Sequence, residues 1–248
     1  MLEGRRIVVT GASSGIGRAL AAAYAAHRAT VWAVGRDTDR LAAVAAATGA
    51  TAVPADLTTA AGLAAVTTRV AEAGALDVAV HAAGALGPVG VPLRDYPDRE
   101  WREVMHTNLD AVHRLHRSLG PLLDLGHVPT VIALSSTVGR QGRAGWGMYA
   151  ISKYALEGWV AVLADEWKQG RVYSVNPGGT RTPMRAEARP DEDPTTVPTP
   201  EEITPLFLRL AHPAAPESTG VLLEARHWIG RDPWEGLGAD PTPTSPSP

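Results

Sequence analysis

The chain has 248 residues, 45% of them hydrophobic, and a formal net charge of −3. That length supports one large α/β core, and the slight negative charge gives nucleic acid or an anionic membrane no electrostatic hold. With no cysteine in the sequence, disulfides, thiolate metal sites and thiol catalysis are excluded, and no metal centre is expected.

The sequence opens on Arg5-Arg6-Ile7-Val8-Val9, which leaves no room for a signal peptide's apolar region. No apolar run approaches the ~20 residues that span a bilayer. A soluble cytoplasmic protein is therefore the expectation. Basic residues are almost all arginine, the only lysines being Lys153 and Lys168. A lysine at 153 stands out, because arginine cannot replace a compact point charge.

The β-branched run Ile7-Val8-Val9-Thr10 predicts a first strand, followed by Gly11-Ala12-Ser13-Ser14-Gly15-Ile16-Gly17 and a helical segment from Arg18 to Tyr24. Strand, glycine-rich turn and helix start are the context that nucleotide binding demands. Gly11 permits the turn and Gly15 lets backbone approach a pyrophosphate. Gly17 lets the helix pack closely, with the phosphates at its positive end. Val31-Trp32-Ala33-Val34 predicts the second strand, a helix follows over 41–48, and Thr51-Ala52-Val53 leads to Asp56. Asp56 is a candidate N-cap for a helix starting near Thr59. Leu76-Asp77-Val78-Ala79-Val80 predicts the fourth strand, ending at His81-Ala82-Ala83-Gly84, with His81 read as structural. A long helix is predicted over 98–125, with Trp101, Val104, Met105, Asn108, Val112 and Leu115 at spacings of three and four. Asn108 is the polar residue of that face and must find partners, since a buried unpaired amide costs about 1–3 kcal/mol.

Val131-Ile132-Ala133-Leu134 predicts the fifth strand, followed by Ser135 and Ser136. Tyr149 and Lys153 are four residues apart, which in a helix stacks them on one face, one turn apart. A phenol ordinarily titrates near ~10. A fixed ammonium beside it is expected to lower that value and make Tyr149 a usable acid or base. Ser136, thirteen residues before the tyrosine, could hold a substrate oxygen beside it. The same helix carries one stripe of Tyr149, Lys153, Leu156, Val160 and Leu163 and another of Ala155, Trp159, Val162 and Glu166, so it is deeply buried or meets a partner subunit. Arg171-Val172-Tyr173-Ser174-Val175 predicts the sixth strand. The proline-rich, acidic run from Met184 to Pro200 then reads as a mobile loop. Thr199-Pro200-Glu201-Glu202 predicts a helix start with a capping box, and Gly220-Val221-Leu222-Leu223 the last strand. The tail 241–248, rich in proline, serine and threonine, reads as disordered.

The spacing Thr10-Gly11-x-x-x-Gly15-x-Gly17, together with Ser136, Tyr149 and Lys153, resembles the short-chain dehydrogenase/reductase family over nearly the whole chain. Within it, Ser135 to Arg143, Trp146-Gly147 and Asn176 to Arg185 resemble a bacterial subgroup of uncharacterised oxidoreductases. The resemblance implies a single doubly wound Rossmann domain over 1–240, with a parallel seven-stranded sheet and a substrate-covering loop at 183–200. It implies NADP(H)-dependent interconversion of a small-molecule carbonyl and an alcohol, with Asn108, Ser136, Tyr149 and Lys153 as the catalytic set. An NAD-dependent alcohol dehydrogenase and a non-catalytic cofactor-binding protein of the same fold are the alternatives.

By that resemblance, Asn108 binds a water that links Lys153 to solvent, and Lys153 also holds the nicotinamide ribose. Gly11, Ser13, Ser14, Gly15, Ile16 and Gly17 take the phosphates, while Asp56 and Leu57 flank the adenine. Ala83 and Gly84 underlie a ribose, and Pro177, Gly178, Thr180 and Thr182 meet the nicotinamide and pyrophosphate. The position closing the second strand selects the cofactor, and here Gly35 is followed by Arg36, which suits the 2′-phosphate of NADP(H) over NAD(H). Ala82 replaces the usual asparagine, leaving a polar strand group to be met by water or a neighbour. Trp146, Met148, Leu86 and Val138 are expected to border the substrate. Arg140, Arg143, Arg181 and Arg185 either select an anionic group or pair with the acidic loop. A homodimer or homotetramer is implied.

Overall fold

Strand and helix alternate along the chain as the hydrophobic pattern predicts, and the strands all run parallel. The structure is a computed structural model that describes residues 1–238; the predicted disordered tail, 241–248, lies outside the described residues. Its strands are β1 (Arg6–Thr10), β2 (Thr30–Gly35), β3 (Thr51–Pro54), β4 (Val78–His81), β5 (Thr130–Leu134), β6 (Arg171–Asn176) and β7 (Leu222–Glu224). They form one sheet in the order β3-β2-β1-β4-β5-β6-β7. The helices are α1 (Gly15–Ala26), α2 (Thr38–Thr48), α3 (Ala60–Ala71), α4 (Asp98–Met105), α5 (Ala111–Leu123), α6 (Gly147–Glu166), α7 (Pro183–Ala188) and α8 (Thr204–Leu210). This is the doubly wound Rossmann arrangement. No helix among the described residues is long and apolar enough to cross a membrane.

Alternate side chains of each strand enter opposite cores. Ile7 and Val9 join Leu20, Tyr24 and Phe207 on the α1, α2 and α8 side. Val8 joins Val66, Leu115, Leu119 and Leu156 on the α3, α5 and α6 side. Covered on both faces, the central strands read as unbroken apolar runs rather than alternating ones. β1 pairs with β2 on one side and β4 on the other, so the winding reverses there and a crevice opens at the carboxyl ends of β1 and β4.

Several element boundaries differ from expectation because side chains far from the hydrophobic pattern set them. α2 begins at Thr38 rather than 41, since Asp37 accepts a hydrogen bond from the Arg40 N–H at 3.0 Å. Thr59, not Asp56, caps α3 by accepting from the Gly62 N–H at 3.0 Å. The carboxylate of Asp56 instead accepts from the Thr58 N–H at 3.0 Å and hydroxyl at 2.7 Å. The long helix over 98–125 is present, but a π-helical turn at His106–Asp110 joins α4 to α5. Such turns concentrate at functional sites, and this one contains Asn108. The Thr199–Glu202 capping box forms reciprocally, at 2.7 and 3.3 Å. It closes a turn, and α8 starts only at Thr204. The 183–200 segment is not a bare loop, for it opens with α7, capped by Thr182 and led by Pro183.

Candidate active site

The crevice is a cavity of about 570 Å³ running from the β1–α1 turn to the start of α6. A Cβ on Gly17 would lie 2.4 Å from the Gly11 carbonyl oxygen, and one on Gly11 would lie 2.9 Å from the Ala82 carbonyl and the Ala83 nitrogen. The turn is therefore pressed flat between α1 and the exit of β4, as a phosphate cradle requires. α1 starts after Ser14 with no side-chain cap and no acidic residue in its first turn, which leaves its N–H groups and positive end to an anion. The pyrophosphate of a dinucleotide fits this end. Sequence reasoning missed Thr10, whose hydroxyl accepts from the Ala82 and Ala83 N–H groups at 3.0 and 3.1 Å and donates to the Val80 carbonyl at 3.3 Å. Thr10 thus meets backbone groups at the position where Ala82 replaces an asparagine.

Of the predicted cofactor residues, the glycine-rich turn with Ser13, Ser14 and Ile16 lines the cleft, as do Arg36, Asp56, Leu57, Ala83, Gly84, Pro177 and Thr182. Arg36 is exposed on the wall, while the neighbouring Arg40 is held by Asp37 at 3.2 Å. The Asp56 carboxyl sits below its ordinary range because Thr58 donates to it from both hydroxyl and backbone, with Arg36 adding a weaker attraction. Gly178 and Thr180 do not reach the cleft wall. Their hydrogen bonds shape the turn, with the Gly178 N–H on Asn176 Oδ1 at 3.0 Å and the Thr180 hydroxyl on the Pro177 carbonyl at 3.2 Å.

At the inner end, Tyr149 and Lys153 lie buried one turn apart on α6. Lys153 Nζ stands 5.7 Å from the Tyr149 ring centroid and donates to the Leu134 carbonyl at 2.7 Å. Burial pulls the ammonium down to about 8, with Glu157 opposing. The net shift of the phenol is upward, where a lowered value was expected. Burial pushes the Tyr149 phenol up, and only a hydrogen bond with Ser136 pulls it back. Desolvation of the buried phenol decides the direction. Ser136 follows β5 in extended conformation, and Ser135 beside it lines the cleft with a buried hydroxyl that has no partner among the described residues.

Asn108 is buried and fully engaged. Its Oδ1 accepts from the Ala85 N–H at 2.7 Å, and its Nδ2 donates to the Ala85 carbonyl and the Ser152 hydroxyl, each at 2.9 Å. Ser152 in turn donates to the Tyr149 carbonyl at 2.8 Å. The side chain therefore ties the loop after β4 to α6 directly beneath the tyrosine. Only one lone pair of Oδ1 is left for a relay water. His81 is buried against Trp159, and burial pulls it down to about 3 with His116 nearby, so it stays neutral and structural.

The short chain dehydrogenase family model matches residues 5–193. The chain belongs to that family. It is 42% identical over 243 residues to the uncharacterized oxidoreductase YciK of Escherichia coli (strain K12), covering 94% of this chain and 95% of that one. A short chain dehydrogenase from Shigella flexneri 2a str. 301 complexed with NADP superposes at a TM-score of 0.85, with 40% identity over 90% of this chain and 98% of the other. One from Escherichia coli CFT073 complexed with NADPH gives 0.85, with 40% identity over 90% and 97%.

Beside Tyr149 packs an apolar cluster of Leu86, Val138 and Ala188, with Trp146, Val89 and Met184 against it, and of these Met184 also lines the cleft. The Trp146 ring lies 5.9 Å from that of Tyr149, tilted by 44°. Met148, expected to border the substrate, packs instead with Tyr96 and Val104 in a separate buried cluster. Three of the four loop arginines are already engaged. Arg185 pairs with Glu192 of the acidic loop at 2.5 Å, Arg181 donates to the Pro194 and Val197 carbonyls, and Arg140 meets Glu157 of α6.

Proposed function

We propose that this dehydrogenase interconverts an apolar ketone or aldehyde and its alcohol with NADP(H). The observation that carries this reading is the buried Tyr149 phenol, one helical turn from the buried Lys153, at the inner end of a dinucleotide-sized cleft. When bound, the nicotinamide supplies or accepts the hydride. Tyr149 gives its proton to the carbonyl oxygen in reduction and takes it back in oxidation. Ser136 donates a hydrogen bond to the same oxygen. Lys153, anchored on Leu134, keeps two N–H bonds for the ribose hydroxyls and opposes the negative charge left on the phenolate. Asn108 holds the loop and α6 in register for this exchange.

Arg36 in place of an acidic residue supports NADP(H), and so do the NADP and NADPH complexes of the relatives. The apolar cluster of Leu86, Val138 and Trp146 packed beside Tyr149 supports an apolar substrate, and the arginines held by Glu192, Glu157 and backbone carbonyls support a neutral one. The outward face of α6, with Tyr154 and Val162 exposed, supports a homo-oligomer. The deciding experiment is a panel of neutral and anionic ketones and aldehydes followed by loss of NADPH absorbance. Turnover of apolar neutral members, absent in Tyr149→Phe, is expected. Silence across the panel despite tight NADPH binding would mean a non-catalytic binding protein.

A further inference from the structure

Glu157 lies one helical turn beyond Lys153, so Tyr149, Lys153 and Glu157 form one stripe of α6. A carboxylate on a core-facing stripe needs partners, and this one is held on both sides. Oε1 accepts from the Ser174 hydroxyl of β6 at 2.6 Å. Oε2 lies 3.4 Å from Arg140 Nη2, with the glutamate side chain 15% exposed and the arginine 52%. Arg140 reaches it because the preceding Gly139 sits directly on α6, where a Cβ would be 2.9 Å from Lys153 Cβ. Arginine, glutamate and lysine therefore follow one another from solvent toward the reacting tyrosine.

The other groups around Lys153 are neutral or act at one remove. β5 offers the Leu134 carbonyl, and the turn after it offers Ser136 through Tyr149 and Arg140 through Glu157. β6 presents Ser174 and the π-helical turn Asn108, both uncharged, while His81 on the same cleft stays neutral. Glu157 shares the α6 stripe with Lys153 one turn away, and a carboxylate at that position favours the ammonium. We propose that Glu157 is a positioning residue of the reaction, whose charge keeps Lys153 an ammonium at working pH while Arg140 attenuates that charge from the solvent side. This rests on the assignment of Tyr149 and Lys153 to the chemistry.

The sequence makes a direct test possible, because Lys153 and Lys168 are the only lysines. Protein labelled with carbon-13 at the lysine ε-carbon should show two side-chain signals, and Lys153→Met identifies the one that titrates near 8. Glu157→Gln keeps an oxygen for Ser174 and removes the charge. Its Lys153 midpoint should fall by about 0.5 pH unit or more, and the alkaline limb of carbonyl reduction should move down with it. Arg140→Gln, at an exposed position, should move both upward. An unmoved Lys153 midpoint in folded Glu157→Gln overturns the proposal. Should that variant not fold, a midpoint that stays or falls in Arg140→Gln overturns it instead. Shifted midpoints with a silent carbonyl panel would sink the catalytic reading while the charge coupling stood, so the two fail separately.

Discussion

The Lys153 ammonium and the Leu134 carbonyl form a 2.7 Å hydrogen bond that fastens α6 to the end of β5. The bond takes one of the lysine's three N–H donors at the end of β5, and the side chain also lines the cleft. Lys153→Met should lower turnover by ~10²-fold or more and also weaken NADPH binding, read by fluorescence titration. Unchanged NADPH affinity would deny Lys153 a ribose contact.

Tyr149→Phe removes the proton and keeps the ring packed against Leu86 and Val138. Turnover should fall ~10²–10⁴-fold with NADPH affinity retained. In the wild type, Lys153 is charged below about 8 and loses its proton above it. Reduction should therefore be full at neutral pH and decline as pH rises through that value. A kcat profile flat across this window would remove the lysine from the mechanism.

Arg36 is the exposed cation on the cleft wall after β2, where an acidic residue would repel a 2′-phosphate. A charge-assisted bond of about 1.5–3 kcal/mol corresponds to a rise of ~10–100-fold in the NADPH KM of Arg36→Leu, with the NADH KM nearly unchanged. Steady-state kinetics with both cofactors decides it, and equal effects would exclude a phosphate contact.

Asn108→Leu leaves the half-buried Ala85 N–H and carbonyl without their side-chain partner, at up to about 1–3 kcal/mol for each group. In a chain of this size ~2–4 °C of melting temperature goes with each kcal/mol. A clear drop in Tm should accompany loss of turnover, because the loop under Tyr149 is released. Full activity with an unchanged Tm would leave Asn108 without a role.

Asp77 directly precedes β4, held by Arg6 Nε at 2.9 Å, Arg6 Nη2 at 2.8 Å and the His127 N–H at 2.7 Å. Burial pushes its carboxyl up, but the Arg6 and His127 hydrogen bonds and the nearby Arg5 outweigh it, and the net shift is downward. A folded value below the unfolded one means stability that is present above ~4 and lost as pH falls through the folded value. Asp77→Asn should lose about 3–5 kcal/mol at neutral pH and show a shallower acid limb in urea titrations. An acid limb identical to wild type would place that dependence elsewhere.

The sequence by itself determined what is local. β-branched runs, the Gly11-Gly15-Gly17 turn and the four-residue step from Tyr149 to Lys153 fix strand, phosphate turn and a shared helix face, because these depend on backbone geometry over a few residues. Distant partners were not legible. Thr10 answers backbone groups of Ala82 and Ala83, Asn108 meets Ser152, and Glu157 meets Ser174 and Arg140. The tyrosine's protonation belongs to the same class. Four residues of spacing place an ammonium near the phenol, but only the packed structure decides that this ammonium turns to Leu134 and that burial raises the phenol. Desolvation depends on everything that closes around a group, and that is set by the whole fold.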